Sequence, residues 1–176
     1  MVFPVFIGMG SNEGDSQTIL QHALDRIGHL PNTTLEKVSP TYWTPPWGVS
    51  TPQADYLNAV VLIRTSMAPH DLLMALQVIE SDLGRVRSQE RYAPRTLDLD
   101  LLVYGDAVID DEALTVPHPR LSQRAFVLIP LSDIAPKAAI PTMDRVDYLI
   151  DALDEDAMDG IRPAQLALRL TPKQSP

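Results

Sequence analysis

Apolar and polar positions along this chain alternate in an order that predicts strand, helix, strand, strand, helix and strand. Phe3 to Met9 is short and apolar, and reads as a first strand. Gly10 to Gly14 turns the chain and Asp15 offers a helix N-cap. Leu20, Leu24 and Ile27 then recur at helical spacing up to Gly28, the stop signal. Leu35 to Tyr42 and Tyr56 to Thr65 are strand-like, the second carrying Val60-Val61-Leu62-Ile63. Thr44 to Pro52 between them is too proline-rich for a helix or a ladder and must be a loop. A second helix is expected from Pro69 to about Gly84. Its core stripe is Leu72, Leu76, Ile79 and Leu83, with Gln77 and Glu80 on a different face.

The pattern then changes period. Leu97, Leu99, Leu101 and Val103 take alternate positions of a strand ending at Gly105, so Asp98 and Asp100 point together from its other face. Beyond it come Val116-Pro-His-Pro119, a helical segment from about Ser122 to Leu131, and an acidic amphipathic helix near Asp144 to Leu153. Residues 1–158 are expected to form one domain, and 159–176 a tail that frays. The order implies an α+β fold, a ferredoxin-like antiparallel sheet with helices packed on it and further segments behind.

Two carboxylates on one strand face, with Cα atoms roughly 7 Å apart, repel by about 2 kcal/mol at an effective dielectric near 20. A divalent cation reverses that sign, and Mg²⁺ suits oxygen ligands completed by water and phosphate. An isolated Asp-x-Asp is more often the wet face of an edge strand. Here the neighbours argue otherwise: Arg85, Arg87, Arg91 and Arg95 precede the pair, on a chain with only 14 Lys plus Arg and a net charge of −9. Guanidinium forks grip phosphate oxygens bidentately, so the two groups are complementary halves of a nucleotide site.

Composition narrows the classes. A chain of 176 residues, 45% apolar, suits one well-buried core. The acidic balance disfavours broad nucleic-acid or membrane-surface binding. There is no cysteine, which excludes disulfides and thiolate zinc sites, and His22, His29, His70 and His118 lack ligand spacing. No apolar run reaches membrane-spanning length, so a soluble, cytoplasmic monomer is expected.

Arg91-Tyr-Ala-Pro-Arg95-Thr-Leu-Asp98-Leu-Asp100-Leu-Leu resembles the signature of the 6-hydroxymethyl-7,8-dihydropterin pyrophosphokinase family of folate biosynthesis. Similarity extends through Ile7-Gly-Met-Gly-Ser-Asn, Tyr42-Trp-Thr-Pro-Pro, Asp55-Tyr-Leu-Asn-Ala, Gly84-Arg-Val-Arg and Leu114-Thr-Val-Pro-His118. The resemblance implies transfer of diphosphate from ATP to a pterin alcohol, with AMP leaving. It implies that Asp98 and Asp100 hold two Mg²⁺ ions, with Arg85 and Arg95 in the catalytic set. Gln77, Glu80, Arg87, Arg91, Thr115, His118 and Arg124 would bind ATP. Thr44, Pro45, Trp47, Tyr56, Asn58, Tyr92 and Phe126 would bind pterin, aromatics by stacking and Asn58 by its amide. Asp98 is the nearest acceptor for the alcohol proton.

Four positions depart from the family pattern. Ser88 stands where many members are basic, Ala113 where some carry arginine, Tyr92 in place of a tryptophan, and Trp47 in place of an aliphatic residue. These permit a second reading, a non-catalytic pterin- or nucleotide-binding relative acting as a regulatory module. Gly8-Met-Gly10 hints at a dinucleotide fingerprint, but Gly14 comes one position late. No Gly-Lys pair exists for a P-loop, and an RNA-binding module lacks the aromatic strand pattern it needs.

Overall fold

The computed structural model describes residues 1–48, 52–84 and 95–171. The chain runs through β1 (Phe3–Ser11), α1 (Ser16–Gly28), β2 (Thr33–Val38), β3 (Tyr42–Thr44), β4 (Tyr56–Thr65), α2 (Pro69–Asp82) and β5 (Asp98–Tyr104). A small hairpin of β6 (Ile109–Asp110) and β7 (Thr115–Val116) follows, then α3 (Ala125–Ile134), α4 (Val146–Asp151) and β8 (Arg162–Pro163). The main sheet has the order β5-β1-β4-β3-β8, with β2 also on β4, and all its pairings are antiparallel. The expected ferredoxin-like α+β arrangement is therefore present.

Helix α1 starts where the sequence places its cap, the Asp15 carboxylate accepting the Thr18 backbone N–H. Leu20, Leu24 and Ile27 are fully buried against one sheet face together with Leu72, Leu76 and Ile79 of α2. The opposite face is covered by α3 and α4 over only part of its length: Phe6, Val60, Leu62 and Val103 pack there against Val127, Leu128 and Leu131. Where that cover ends, Gly8, Gly10, Asn58, Asp98 and Asp100 face an open pocket.

Several expectations are corrected. The strand expected over Leu35–Tyr42 divides into β2 and β3, because Pro40 has no N–H for the ladder. The Ser39 hydroxyl takes over there, accepting the Val60 N–H at 2.9 Å. Val103 leaves the face of Leu97, Leu99 and Leu101 and joins the second core. The cause is a β-bulge: Ile7 pairs with Leu101 and Phe6 with Val103, so Leu102 is an extra residue that reverses the alternation. Glu80 lies four residues after Leu76, on the buried stripe, and is only 4% exposed.

The helix expected from Ser122 is a 3-10 turn, Leu121–Gln123, then extended Arg124 (φ −108°, ψ 93°), then α3. The last helix is shorter than expected, and the β6–β7 hairpin was not anticipated. The segment expected to fray is fastened as far as residue 171: β8 pairs with β3, and Leu168 is buried in the first core. No helix among the described residues is long and apolar enough to cross a membrane.

Candidate active site

β5 is an edge strand, and its register on β1 sets Gly10 opposite Asp98 and Gly8 opposite Asp100. Glycine is required at position 10 for space: a Cβ there would lie 2.6 Å from Asn58 Oδ1. The glycines thus keep clear the floor between the carboxylates of β5 and the amide of β4. They do not form a dinucleotide fingerprint.

Each carboxylate meets a guanidinium. Arg95 Nη1 donates to Asp98 Oδ1 at 2.9 Å, and Arg124 Nη1 to Asp100 Oδ2 at 3.1 Å. Arg95 is fixed from behind by Asn12, whose Oδ1 accepts the Arg95 N–H at 2.9 Å and whose own N–H donates to the Arg95 carbonyl at 3.1 Å. Asn12 Nδ2 also donates to the Ala54 carbonyl, joining Arg95 to the segment before β4.

Burial pushes the Asp100 carboxyl up to about 6; the charge of Asp98 adds to the effect, and Arg124 and Arg95 oppose it. That is the condition a cation relieves. Two carboxylates sharing one face, one of them reluctant to ionise beside the other, fit Mg²⁺, which draws its remaining ligands from water and phosphate. No group of three or more His, Cys, Asp or Glu that could hold a metal occurs among the described residues.

Arg124 is 13% exposed and lies at a crossroads. Its guanidinium sits 5.3 Å from the Trp47 ring centroid and 5.5 Å from that of Phe126, while Arg120 sits 5.7 Å from Trp47. Its Nε is buried with no hydrogen-bond partner among the described residues. His118 Nε2 lies 3.4 Å from Arg124 Nη1, and His118 Nδ1 accepts the Arg120 backbone N–H at 3.1 Å. Burial drives the imidazole down to about 4, and the charges of Arg124 and Arg120 act in the same direction. The ring is therefore neutral near pH 7. Since Nδ1 accepts from the Arg120 N–H, the neutral ring carries its proton on Nε2, beside the Arg124 guanidinium.

The pocket encloses about 790 Å³ free of protein atoms, its open mouth included. It brings together Thr44, Pro45, Trp47, Tyr56, Asn58, Arg95, Asp98, Asp100, Arg124 and Phe126 of the expected site. Asn58 Nδ2 donates to Thr44 Oγ1 at 2.7 Å, fixing the amide on the wall, and the Trp47 and Phe126 rings stand 6.4 Å apart.

Gln77, Glu80, Thr115 and His118 do not line this pocket. Gln77 is half-buried on α2, and Thr115 is in β7, donating to Asp110. Glu80 is buried beneath β5, accepting the Leu99 N–H at 2.7 Å. Arg85, Arg87, Arg91, Tyr92 and the departure at Ser88 lie outside the described residues. Sequence reasoning overlooked Asn12 and Arg120 as site residues. Asn12 stands in the Gly8–Asn12 stretch, but Arg120 carries no signal beyond its nearness to His118.

Residues 6–136 match the family model of 7,8-dihydro-6-hydroxymethylpterin-pyrophosphokinase. The chain belongs to this family. A Pseudomonas aeruginosa 2-amino-4-hydroxy-6-hydroxymethyldihydropteridine pyrophosphokinase is 45% identical over 161 residues, 92% of this chain and 98% of the relative. A pyrophosphokinase of the same name from Synechocystis is 38% identical over 170 residues, 96% of this chain and 86% of the relative. The crystal structure of wild-type Plasmodium falciparum HPPK-DHPS with STZ-DHP aligns with a TM-score of 0.65 over 86% of this chain, at 13% identity. A second HPPK-DHPS structure, in complex with substrates, aligns at 0.67 and 14% identity. This chain spans 41% and 43% of those longer chains, and at such identity the likeness shows the pyrophosphokinase fold alone.

Proposed function

We propose that this pyrophosphokinase transfers diphosphate from ATP to the hydroxymethyl group of 6-hydroxymethyl-7,8-dihydropterin, releasing AMP, in folate biosynthesis. The observation that carries the assignment of parts is one continuous surface. It joins the Asp98–Asp100 face, with Arg95 and Arg124, to a pocket walled by Asn58, Tyr56 and Phe126. The flat heterocycle would lie between the aromatic rings, its amide-like edge on Asn58. The alcohol oxygen would then bond to the β-phosphorus as the bond from that phosphorus to the α,β-bridging oxygen breaks. AMP takes the electron pair, and the alcohol proton passes to Asp98.

Asp98 and Asp100 would hold two Mg²⁺ ions, which supply charge neutralisation at the phosphates. Arg95 and Arg124, with the Nε2–H of His118, would position phosphate oxygens. Transfer of this kind is mostly placement and electrostatics, so no buried general base is required. Roles for Gln77, Thr115, Arg85, Arg87, Arg91 and Tyr92 follow from the family resemblance and are part of the same proposal. A cytoplasmic monomer completes it, in keeping with a net charge of −9.

The test is to incubate the protein with Mg²⁺, ATP and reduced hydroxymethylpterin. Pterin-dependent AMP is expected. Release of ADP would make it an ordinary kinase, and pterin binding without AMP would return it to the regulatory-module reading. Asp98→Ala and Asp100→Ala should each abolish turnover while pterin still binds; undiminished turnover in either would remove the metal assignment.

A further inference from the structure

The segment after α4 grips both ends of the connection between β3 and β4. Gly160, at φ +75°, presses on Pro45, the first residue after β3: a Cβ there would lie 2.6 Å from Pro45 Cγ. Two residues on, Arg162 Nη1 donates to Asp55 Oδ2 at 2.8 Å, immediately before β4 begins at Tyr56. Arg162 itself pairs with Trp43 in the sheet. The strap continues with the Ala164 N–H on the Thr41 carbonyl at 2.9 Å, and with Thr41 Oγ1 donating to the Leu166 carbonyl. It is fastened far away on α1, where the Gln21 side chain bonds both backbone groups of Arg169 and Asp25 accepts from Thr171.

We propose that Gly160 and Arg162 are positioning residues that set the pterin wall of the pocket, an inference resting on the pterin reading of that pocket. Pro45 lines the pocket, Thr44 before it holds Asn58, and Tyr56 follows Asp55 directly. Displacing either end therefore moves the wall that faces the heterocycle. The carboxylates stand three strands away from β3, on β5, beyond β4 and β1. Disturbing the strap acts first on pterin recognition; the Asp55 end reaches Arg95 only at one remove, through Ala54 and Asn12, so the effect on the phosphate side is the smaller one.

The experiment compares Gly160→Ala, Arg162→Glu and the exchange Asp55→Arg with Arg162→Glu against wild type. It measures KM for pterin, KM for ATP, kcat and pterin Kd by tryptophan fluorescence. Gly160→Ala and Arg162→Glu should raise the pterin KM and Kd by about fivefold, with kcat and the ATP KM within about twofold, and the exchange should recover most of the loss. Leu168→Ala, which loosens the strap's core anchor away from the clamp, should lower Tm and spare pterin affinity. Unchanged pterin constants in both clamp variants, or equal losses in every parameter, would overturn the inference. If wild type bound pterin but made no AMP, the activity assignment would fall while the Kd comparison still decided the clamp. If wild type did not bind pterin, both would fall.

Discussion

The Glu80 carboxylate, on the buried stripe of α2, accepts the Leu99 backbone N–H at 2.7 Å, midway between Asp98 and Asp100. β5 is an edge strand, so this N–H faces away from β1 and has no ladder partner on that side. One buried side chain thereby holds the backbone that aims both carboxylates. Glu80→Ala should destabilise the protein by about 1–3 kcal/mol and lower kcat, whereas Glu80→Gln keeps an acceptor and should retain most of both. Chemical denaturation beside steady-state rates checks this; an alanine variant with native stability would contradict it.

Asp100 resists ionisation in the folded protein, so the sign of its pH effect is the reverse of an ordinary ion-paired carboxylate. Its folded value of about 6 stands above the usual 3.8, hence the folded state holds more protons in that window and loses stability as pH rises through it. In metal-free protein, Asp100→Asn should match wild type below pH 4 and exceed it above pH 6. The gain should be about 1–2 kcal/mol, allowing for partial solvent access. Added Mg²⁺ should stabilise wild type and not the variant. Thermal melts across pH with chelator or Mg²⁺ read both effects.

Gly10→Ala puts a methyl group 2.6 Å from Asn58 Oδ1, and the amide must swing off the wall. We expect the pterin KM to rise by about tenfold, a loss of the order of one well-placed hydrogen bond, with the ATP KM nearly unchanged. Isothermal titration with pterin gives the same answer without turnover. Equal weakening of both substrates would show that the substitution disturbs β1 as a whole.

His118 should remain neutral through the working range. Its folded value near 4 lies below the ordinary 6.5, so the unfolded chain takes up a proton first, and stability present above pH 6.5 is lost as pH falls toward 4. The loss should be about 1–3 kcal/mol, discounted for a ring that is not fully enclosed. An NMR titration of the imidazole should show a midpoint below 5, and His118→Asn should flatten this part of the pH profile. A midpoint at 6.5 would show that neither burial nor the charges of Arg124 and Arg120 hold the ring neutral.

How much of this was legible depended on whether periodicity decided the question. α1 was readable because Asp15, Leu20, Leu24 and Ile27 fall at cap and core spacings that serve no other structure. The Asp98–Asp100 face was readable because leucine alternates with aspartate up to Leu101. Beyond that point every residue is apolar, so an extra Leu102 leaves no trace in the pattern. Glu80 sits three residues from Gln77, which suggests a shared face off the core, but its spacing of four from Leu76 puts it with the core. The Pro, Lys, Gln and Ser ending of the tail suggests fraying, yet before it Ala164, Leu166 and Leu168 alternate like a strand lying on apolar ground. Trp47 was expected at the pterin, but its neighbourhood of Arg120 and Arg124 required the fold, since residues 47 and 120 are joined only in space.

The extra Leu102 divides β5 between the two cores, with Leu99 and Leu101 in one and Leu102 and Val103 in the other. Resizing Val103 would be felt among Phe6, Leu128 and Ile140, while the reach between the two acidic groups upstream stays fixed by Gly8 and Gly10. One strand of seven residues thereby carries both the acidic pair and an anchor in the second core, and deleting that single leucine would restore an unbroken ladder with β1.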